Sequence, residues 1–307
     1  MTESASKLAV SVDIEDWYHL PAVSGAPFSP YESAPDFLDS WDGEYDFLTK
    51  PTHRTLNMLD ELEIQATFFV VADVVDNYPG LVEEISDRGH EIGCHGLHHE
   101  CAINPDTKEA RFTSEEYRKK LEQARDILKD ASGQKITGFR APNAYVSGWM
   151  LDVLRKLGFR YDSSVAKNSL YNKTDSTLEE VETTPYTPAR GSLLPGNGRD
   201  LIEFPWPYYD FSVAKIPVAG GPLIRLLGYR IVNRGIQQCL RRGHTVFYFH
   251  PIDMARDRFP DVGNLKRRPT FRIGRGKTAE KRIKRVLATK KNNQLMTFGD
   301  LYSVWQI

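Results

Sequence analysis

Apolar residues in this chain gather in short runs, separated by stretches whose apolar positions recur every three or four residues. The runs are KLAVSVD (7–13), ATFFVV (66–71), HEIGCH (90–95), KITGFR (135–140), FRYDSS (159–164), LIEFPW (201–206) and TVFYFH (245–250). Several are rich in β-branched and aromatic residues, as buried strands are. The stretches THRTLNMLDELE (52–63), GLVEEISDRG (80–89), TSEEYRKKLEQARDILKDAS (113–132) and SGWMLDVLRKLG (147–158) carry the helical period. The third opens with a Thr/Ser cap followed by acidic residues, which a helix N-terminus prefers. Strand–helix alternation of this kind predicts a parallel sheet or a closed barrel.

Two connections are too long to be plain turns. Residues 17–50 hold Pro21, Pro27, Pro30 and Pro35 among many aromatics, and residues 165–200 are rich in Thr, Asn, Gly and Pro. In a parallel β/α architecture such insertions build the rim of the active site. We find no internal repeat and no low-complexity segment.

The reactive side chains fall where the predicted strands end: Asp13, Glu15 and Asp16; His95 and His99; Arg140; Asp162; His250. Barrel enzymes assemble their sites at C-terminal strand ends, so this distribution points to an enzyme. In HEIGCHGLHHE (90–100), two histidines at i and i+4 can hold a divalent ion with a third ligand from elsewhere. Alone, the stretch also reads as a polar surface turn. SVDIEDW (11–17) sets three carboxylates at a strand end, where they repel one another unless a cation is near. Beside the histidines they supply both a third ligand and a general base.

Composition sets the outer bounds. The 307 residues suffice for one large α/β domain or two smaller ones. Lys+Arg 40 against Asp+Glu 41, a net charge of -1, gives no overall pull toward nucleic acid. Three cysteines suit a reducing compartment better than a disulfide scaffold. The first residues lack the apolar core of a signal peptide, and no run approaches the ~18 apolar residues that span a bilayer. The expectation is a cytoplasmic protein.

SVDIEDW, HGLHH (95–99), FRAPNAY (139–145), YDSS (161–164) and YFHP (248–251), in this order and spacing, resemble the polysaccharide deacetylases of the NodB-homology type, carbohydrate esterase family 4. GGPLIRLLGYRIVNRGIQQCLRRGHTVFYFHPIDM (220–254) is similar to a narrower branch, the deacetylase-like proteins of bacterial exopolysaccharide clusters often found with exosortase systems. The resemblance runs from about residue 8 to residue 304. It implies a distorted parallel (β/α) barrel of about seven strands, a single domain over 1–307 with a family-specific part from about 215.

By resemblance, Asp13 matches the general base and His95 and His99 the metal-binding pair. Pro142 shapes the turn where the backbone N–H of Asn143 matches an oxyanion donor. Arg140 matches the arginine that holds the base, His250 the general acid, and Asp162 the aspartate that orients that acid. The wider family follows its first aspartate directly with a second; here Ile14 intervenes. On an extended strand Glu15 shares a face with Asp13, so Glu15 is preferred as the metal carboxylate, with Asp16 next. The resemblance implies a divalent metal, Zn²⁺ before Co²⁺, Ni²⁺ or Fe²⁺, and removal of N-acetyl groups from a sugar in a glycan or glycan precursor. Hydrolysis of another C–N bond on the same fold and a non-catalytic glycan binder are the alternatives.

Cys94 and Cys101 read as packed residues rather than ligands. Among the aromatics, Trp206 is the preferred carbohydrate contact. Residues 266–291 hold twelve Lys/Arg and one Glu. They include an amphipathic helix with Ile283, Val286 and Leu287 inward, and a basic face for peripheral contact with an anionic inner membrane.

Overall fold

The computed structural model describes residues 6–167, 173–198, 200–262, 273–290 and 294–305. β1 (Leu8–Ile14), β2 (Thr67–Val70), β3 (Glu91–Cys94), β4 (Gly138–Phe139), β5 (Tyr161–Asp162) and β6 (Ile202–Glu203) run parallel, each paired with the next. β7 (Tyr208–Asp210) and β8 (Lys215–Pro217) form an antiparallel hairpin outside this row. β9 (Thr245–Phe249) returns to pair along β1 from Leu8 to Val12, making a curled row of seven parallel strands. β10 (Leu295–Met296) pairs with Leu8 and Ala9 only. Those two residues also pair with β9, so β10 lies on the opposite side of β1, the side β2 takes further along. The architecture is the distorted parallel (β/α) barrel expected from the sequence, and each of the seven apolar runs holds one of its strands.

Helices α1 (Ala34–Ser40), α2 (Thr49–Glu61), α3 (Val74–Asn77), α4 (Leu81–Asp87), α5 (Ser114–Ser132), α6 (Gly148–Lys156), α7 (Gly221–Leu240), α8 (Lys277–Ala288) and α9 (Phe298–Trp305) complete the fold. α5 shows how locally its start is specified. Thr113 accepts the N–H of Glu116, and the Glu116 side chain returns to the N–H of Thr113, satisfying two donors that a helix start leaves free.

Side-chain parity on β1 divides the core in two. Leu8, Val10, Val12 and Ile14 join the large apolar cluster beneath the helices. Ala9 belongs to a second cluster with Phe69, Tyr161, Ile202, Phe204, Val246, Phe298 and Leu301, which fills the barrel interior. Successive strand residues face opposite ways, so Ser11 and Asp13 point into that interior with Ala9. α9 plugs its lower end: Phe298 N–H donates to Thr67 Oγ1 at 2.7 Å and Gly299 N–H to Glu91 Oε2 at 2.9 Å. The upper end, where the strands finish, is left for chemistry.

Candidate active site

Glu15, His95 and His99 stand at the ends of β1 and β3 and offer ligand atoms that all lie within 4.8 Å of one another. Glu15 Oε2 is 2.5 Å from His99 Nε2 and 3.9 Å from His95 Nε2, and the two Nε2 atoms are 3.2 Å apart. The opposite ring nitrogens fix the tautomers. His95 Nδ1 is 2.8 Å from the carbonyl oxygen of Arg140, and His99 Nδ1 is 2.9 Å from that of His19. A carbonyl can only accept, so each Nδ1 carries a hydrogen and each Nε2 turns its lone pair inward.

Two lone pairs and a carboxylate converging in a buried space repel one another unless a positive charge sits between them. Burial, and then His99, hold the His95 imidazole down at about 4. Burial alone would raise the Glu15 carboxyl, but His99, His250 and His95 draw it well below the ordinary carboxylate range. At His99 burial is likewise overcome, by Glu15, and the imidazole is pushed up. The cluster demands a cation, as a proton on His99 or as a metal. His₂–carboxylate is a donor set that fits a divalent ion. His99 holds this position at a φ of 59°, a left-handed backbone rare outside glycine and a form of strain that concentrates at functional sites.

Asp13 and His250 flank the cluster. Arg140 donates to Asp13 Oδ1 at 2.5 Å and to Ser11 Oγ at 2.8 Å, and its other nitrogens donate to the Ser163 carbonyl and hydroxyl, each at 3.0 Å. Its guanidinium carbon lies 4.3 Å from the ring centre of Phe69 and 5.0 Å from that of Tyr248. This buried cation is pinned from every side, which leaves Asp13 Oδ2 facing the cleft. His250 Nε2 is 3.8 Å from that atom and 3.4 Å from Glu15 Oε1. On its far side, His250 Nδ1 is 3.2 Å from Asp253 Oδ2. Burial opposes protonation of His250, but the Asp253 contact and the charges of Glu15, Asp253 and Asp13 push its pKa up to about 9.

Two expected residues lie elsewhere. Asp16 is not part of the Glu15–His95–His99 group. Its carboxylate accepts the N–H of Trp17 at 2.6 Å, the N–H of Phe47 at 2.7 Å and the Tyr78 hydroxyl at 2.8 Å, tying the 17–50 insertion to the barrel. Asp162 does not hold His250. Its Oδ1 accepts the Ser164 hydroxyl at 2.7 Å, and its carboxyl faces Glu203 on the neighbouring strand β6. Asp253, which does hold His250, was missed in the sequence. Its signal was an acid three residues past the histidine in HPID.

The turn after β4 puts Asn143 and Ala144 both in left-handed backbone, at φ 55° and 58°. The N–H groups of Ala144 and Tyr145 close back on Ala141 and Pro142 at 2.8 and 3.2 Å, whereas the N–H of Asn143 has no acceptor among the described residues. Trp206 lies close by, donating its indole N–H to the Ser163 carbonyl at 3.0 Å, with its ring centre 4.4 Å from that of Tyr248. Cys94, Cys101 and Cys239 are buried and unpaired, and burial raises each thiol. Residues 266–272 and 291 of the basic stretch lie outside the described residues. On α8, Ile283, Val286 and Leu287 face inward. Arg282 there donates to the Ile224 and Arg225 carbonyls, Lys284 pairs with Glu61, and Arg285 covers the Tyr229 ring.

The polysaccharide deacetylase family profile matches residues 39–161, and a domain of unknown function, DUF3473, matches residues 174–303. Residues 39–161 are thus similar to the polysaccharide deacetylase family. The chain is 28% identical over 166 residues to a peptidoglycan deacetylase of Helicobacter pylori, covering 51% of this chain and 52% of that one. It is 26% identical over 187 residues to a peptidoglycan-N-acetylglucosamine deacetylase of Bacillus cereus, covering 56% and 62%. The chain thus spans between half and two thirds of these relatives. Among solved structures, a polysaccharide deacetylase-type protein from Mycobacterium smegmatis superposes with a TM-score of 0.62 at 21% identity, covering 100% of this chain and 92% of the other. A family 4 pseudoenzyme from Bacillus anthracis superposes at 0.52 with 10% identity, covering 97% and 66%. Likeness at these identities concerns the fold; the chemistry rests on the residues above.

Proposed function

We propose that this chain is a divalent-metal-dependent N-deacetylase acting on an N-acetylated sugar of a bacterial exopolysaccharide or related glycan precursor. The observation that carries the reading is the meeting of three separately held units at one point: Glu15–His95–His99, Asp13 on Arg140, and His250 on Asp253. Glu15, His95 and His99 would hold a divalent ion, Zn²⁺ preferred, which would supply Lewis-acid chemistry at this point. Asp13 Oδ2 takes a proton from the attacking water as its oxygen bonds to the acetyl carbon. The free N–H of Asn143 donates to the carbonyl oxygen as it gains charge. His250, charged near neutral pH, gives its Nε2 proton to the sugar nitrogen as the C–N bond breaks, because an unprotonated amide anion leaves poorly. Acetate and an amino sugar result.

The D-x-E spacing, in place of adjacent aspartates, favours a second reading: hydrolysis of another C–N amide bond by the same groups. Metal analysis followed by acetate release from a panel of N-acetylated oligosaccharides separates the two. Bound metal with acetate release is the expected result. Metal with turnover of small amides alone supports the second reading, and neither metal nor turnover overturns both.

A further inference from the structure

Most cations around the cleft are neutralised by a carboxylate: Arg140 by Asp13, Arg225 by Asp253, Lys120 by Glu100. Lys173 and Lys108 differ. Lys173 Nζ donates to the backbone carbonyl of Asn143 at 2.7 Å, and Lys108 Nζ to that of Pro105. Neither has a carboxylate within ion-pair reach among the described residues, and each ammonium keeps two further N–H groups. They approach one ring: Lys108 Nζ is 5.6 Å and Lys173 Nζ 5.7 Å from the centre of Tyr145. Lys173 Nζ is also 5.7 Å from the centre of Trp206. Tyr145 ends the turn that bears the free N–H of Asn143, so Lys173, bonded to the Asn143 carbonyl, borders the turn assigned above to the acetamide, and Lys108 stands across the Tyr145 ring. Burial depresses the Lys173 amine to about 8, opposed by Cys101 and Glu15.

We infer that Lys173 and Lys108 form an anion subsite, and that the sugar unit presented to this cleft carries an acidic group. The inference rests on the deacetylase reading and narrows its substrate class. A sugar ring laid against Trp206 brings a substituent within reach of Lys173. A carboxylate or a phosphate there completes the hydrogen bonding of a desolvated ammonium, the setting in which charge-assisted contacts are strongest.

The test compares acetate release from N-acetylglucosamine oligomers with release from their C6-carboxylate and 6-phosphate counterparts, using the full metal-loaded chain. The acidic substrates should be preferred by at least ~10-fold in kcat/KM, the scale of one charge-assisted contact. The preference should reside in KM and shrink with salt, and the better of the two arms names the anion. Lys173→Met and Lys108→Met should bring the ratio toward one, while Lys173→Arg retains it. Lys108→Met carries the test alone if loss of the Asn143 contact unfolds Lys173→Met. Equal kcat/KM on neutral and acidic oligomers, or a preference untouched in the lysine variants, overturns the subsite. Acetate from none of the substrates is a different failure, that of the deacetylase reading itself.

Discussion

Asp253 Oδ2 lies 3.2 Å from His250 Nδ1 and accepts the backbone N–H of His250 at 3.1 Å, while its Oδ1 forms an ion pair with Arg225 Nε at 2.9 Å. The acid is therefore oriented from its own turn, and α7 anchors that turn through Arg225. Gly221, the first residue of α7, has no side chain because Asp253 occupies the space: a Cβ there would sit 1.3 Å from Oδ2. Asp253→Asn should leave the fold intact and lower kcat about 10–10²-fold with little change in KM, and Gly221→Ala should reproduce the loss. Steady-state kinetics on any turned-over substrate checks this; unchanged kcat in both variants would place the orienting group elsewhere.

The same contact sets the alkaline edge of activity. Burial disfavours the His250 cation, but Asp253 and the nearby carboxylates outweigh it and raise the pKa to about 9. A group whose pKa is raised keeps its proton below that value, so the acid is present at neutral pH and is lost as pH rises through about 9. The alkaline limb of kcat should fall there, and in Asp253→Asn it should move to lower pH. A limb at the same pH in both proteins would assign it to another group.

Metal content separates adjacent carboxylates. Glu15→Ala, His95→Ala and His99→Ala should each remove bound metal measured by elemental analysis of dialysed protein. Asp16→Ala should retain it. That variant instead strands the N–H groups of Trp17 and Phe47 and the Tyr78 hydroxyl, and should lose at least ~2 kcal/mol of stability in denaturant titration. Metal loss in Asp16→Ala with metal kept in Glu15→Ala would reverse the assignment.

How much of this was legible in the chain depended on how local the cause was. Parity on β1 is local, and it places Asp13 and Glu15 on the same inner face. The i, i+4 spacing of His95 and His99 is local too. Asp16 and Asp162 looked equally eligible as carboxylates at strand ends, but their partners come from far along the chain: Phe47 and Tyr78 for one, Glu203 for the other. No periodicity reports such partners. Helix α7 was not foreseen because its pattern is interrupted at Gly228, where the φ of 77° breaks the helical backbone. The plug α9 was hidden for another reason: its role exists only once β2 and β3 present Thr67 and Glu91 to its first turn.

Asp162 and Glu203 give a prediction about stability. Both are fully buried, and Glu203 Oε1 already accepts the N–H groups of Ser164 and Val165 at 3.1 and 2.9 Å. The remaining oxygens, Asp162 Oδ2 and Glu203 Oε2, have no donor from any other group among the described residues, so a proton shared between the two carboxyls is the economical arrangement. Burial raises both pKa values, most strongly that of Glu203. Raised carboxyl values mean that the folded state binds protons more tightly than the unfolded chain, whose ordinary values are 3.8 and 4.5. The stabilisation is complete below those ordinary values and is lost as pH rises through the folded ones. Glu203→Gln keeps the acceptor for Ser164 and Val165 and supplies a permanent N–H toward Asp162. It should raise Tm by ~2–4 °C at pH 8, the scale of about 1 kcal/mol for a chain of this size, and by less at pH 5. Thermal melts at the two pH values decide the matter: a Tm lowered equally at both would show that the pair needs no shared proton.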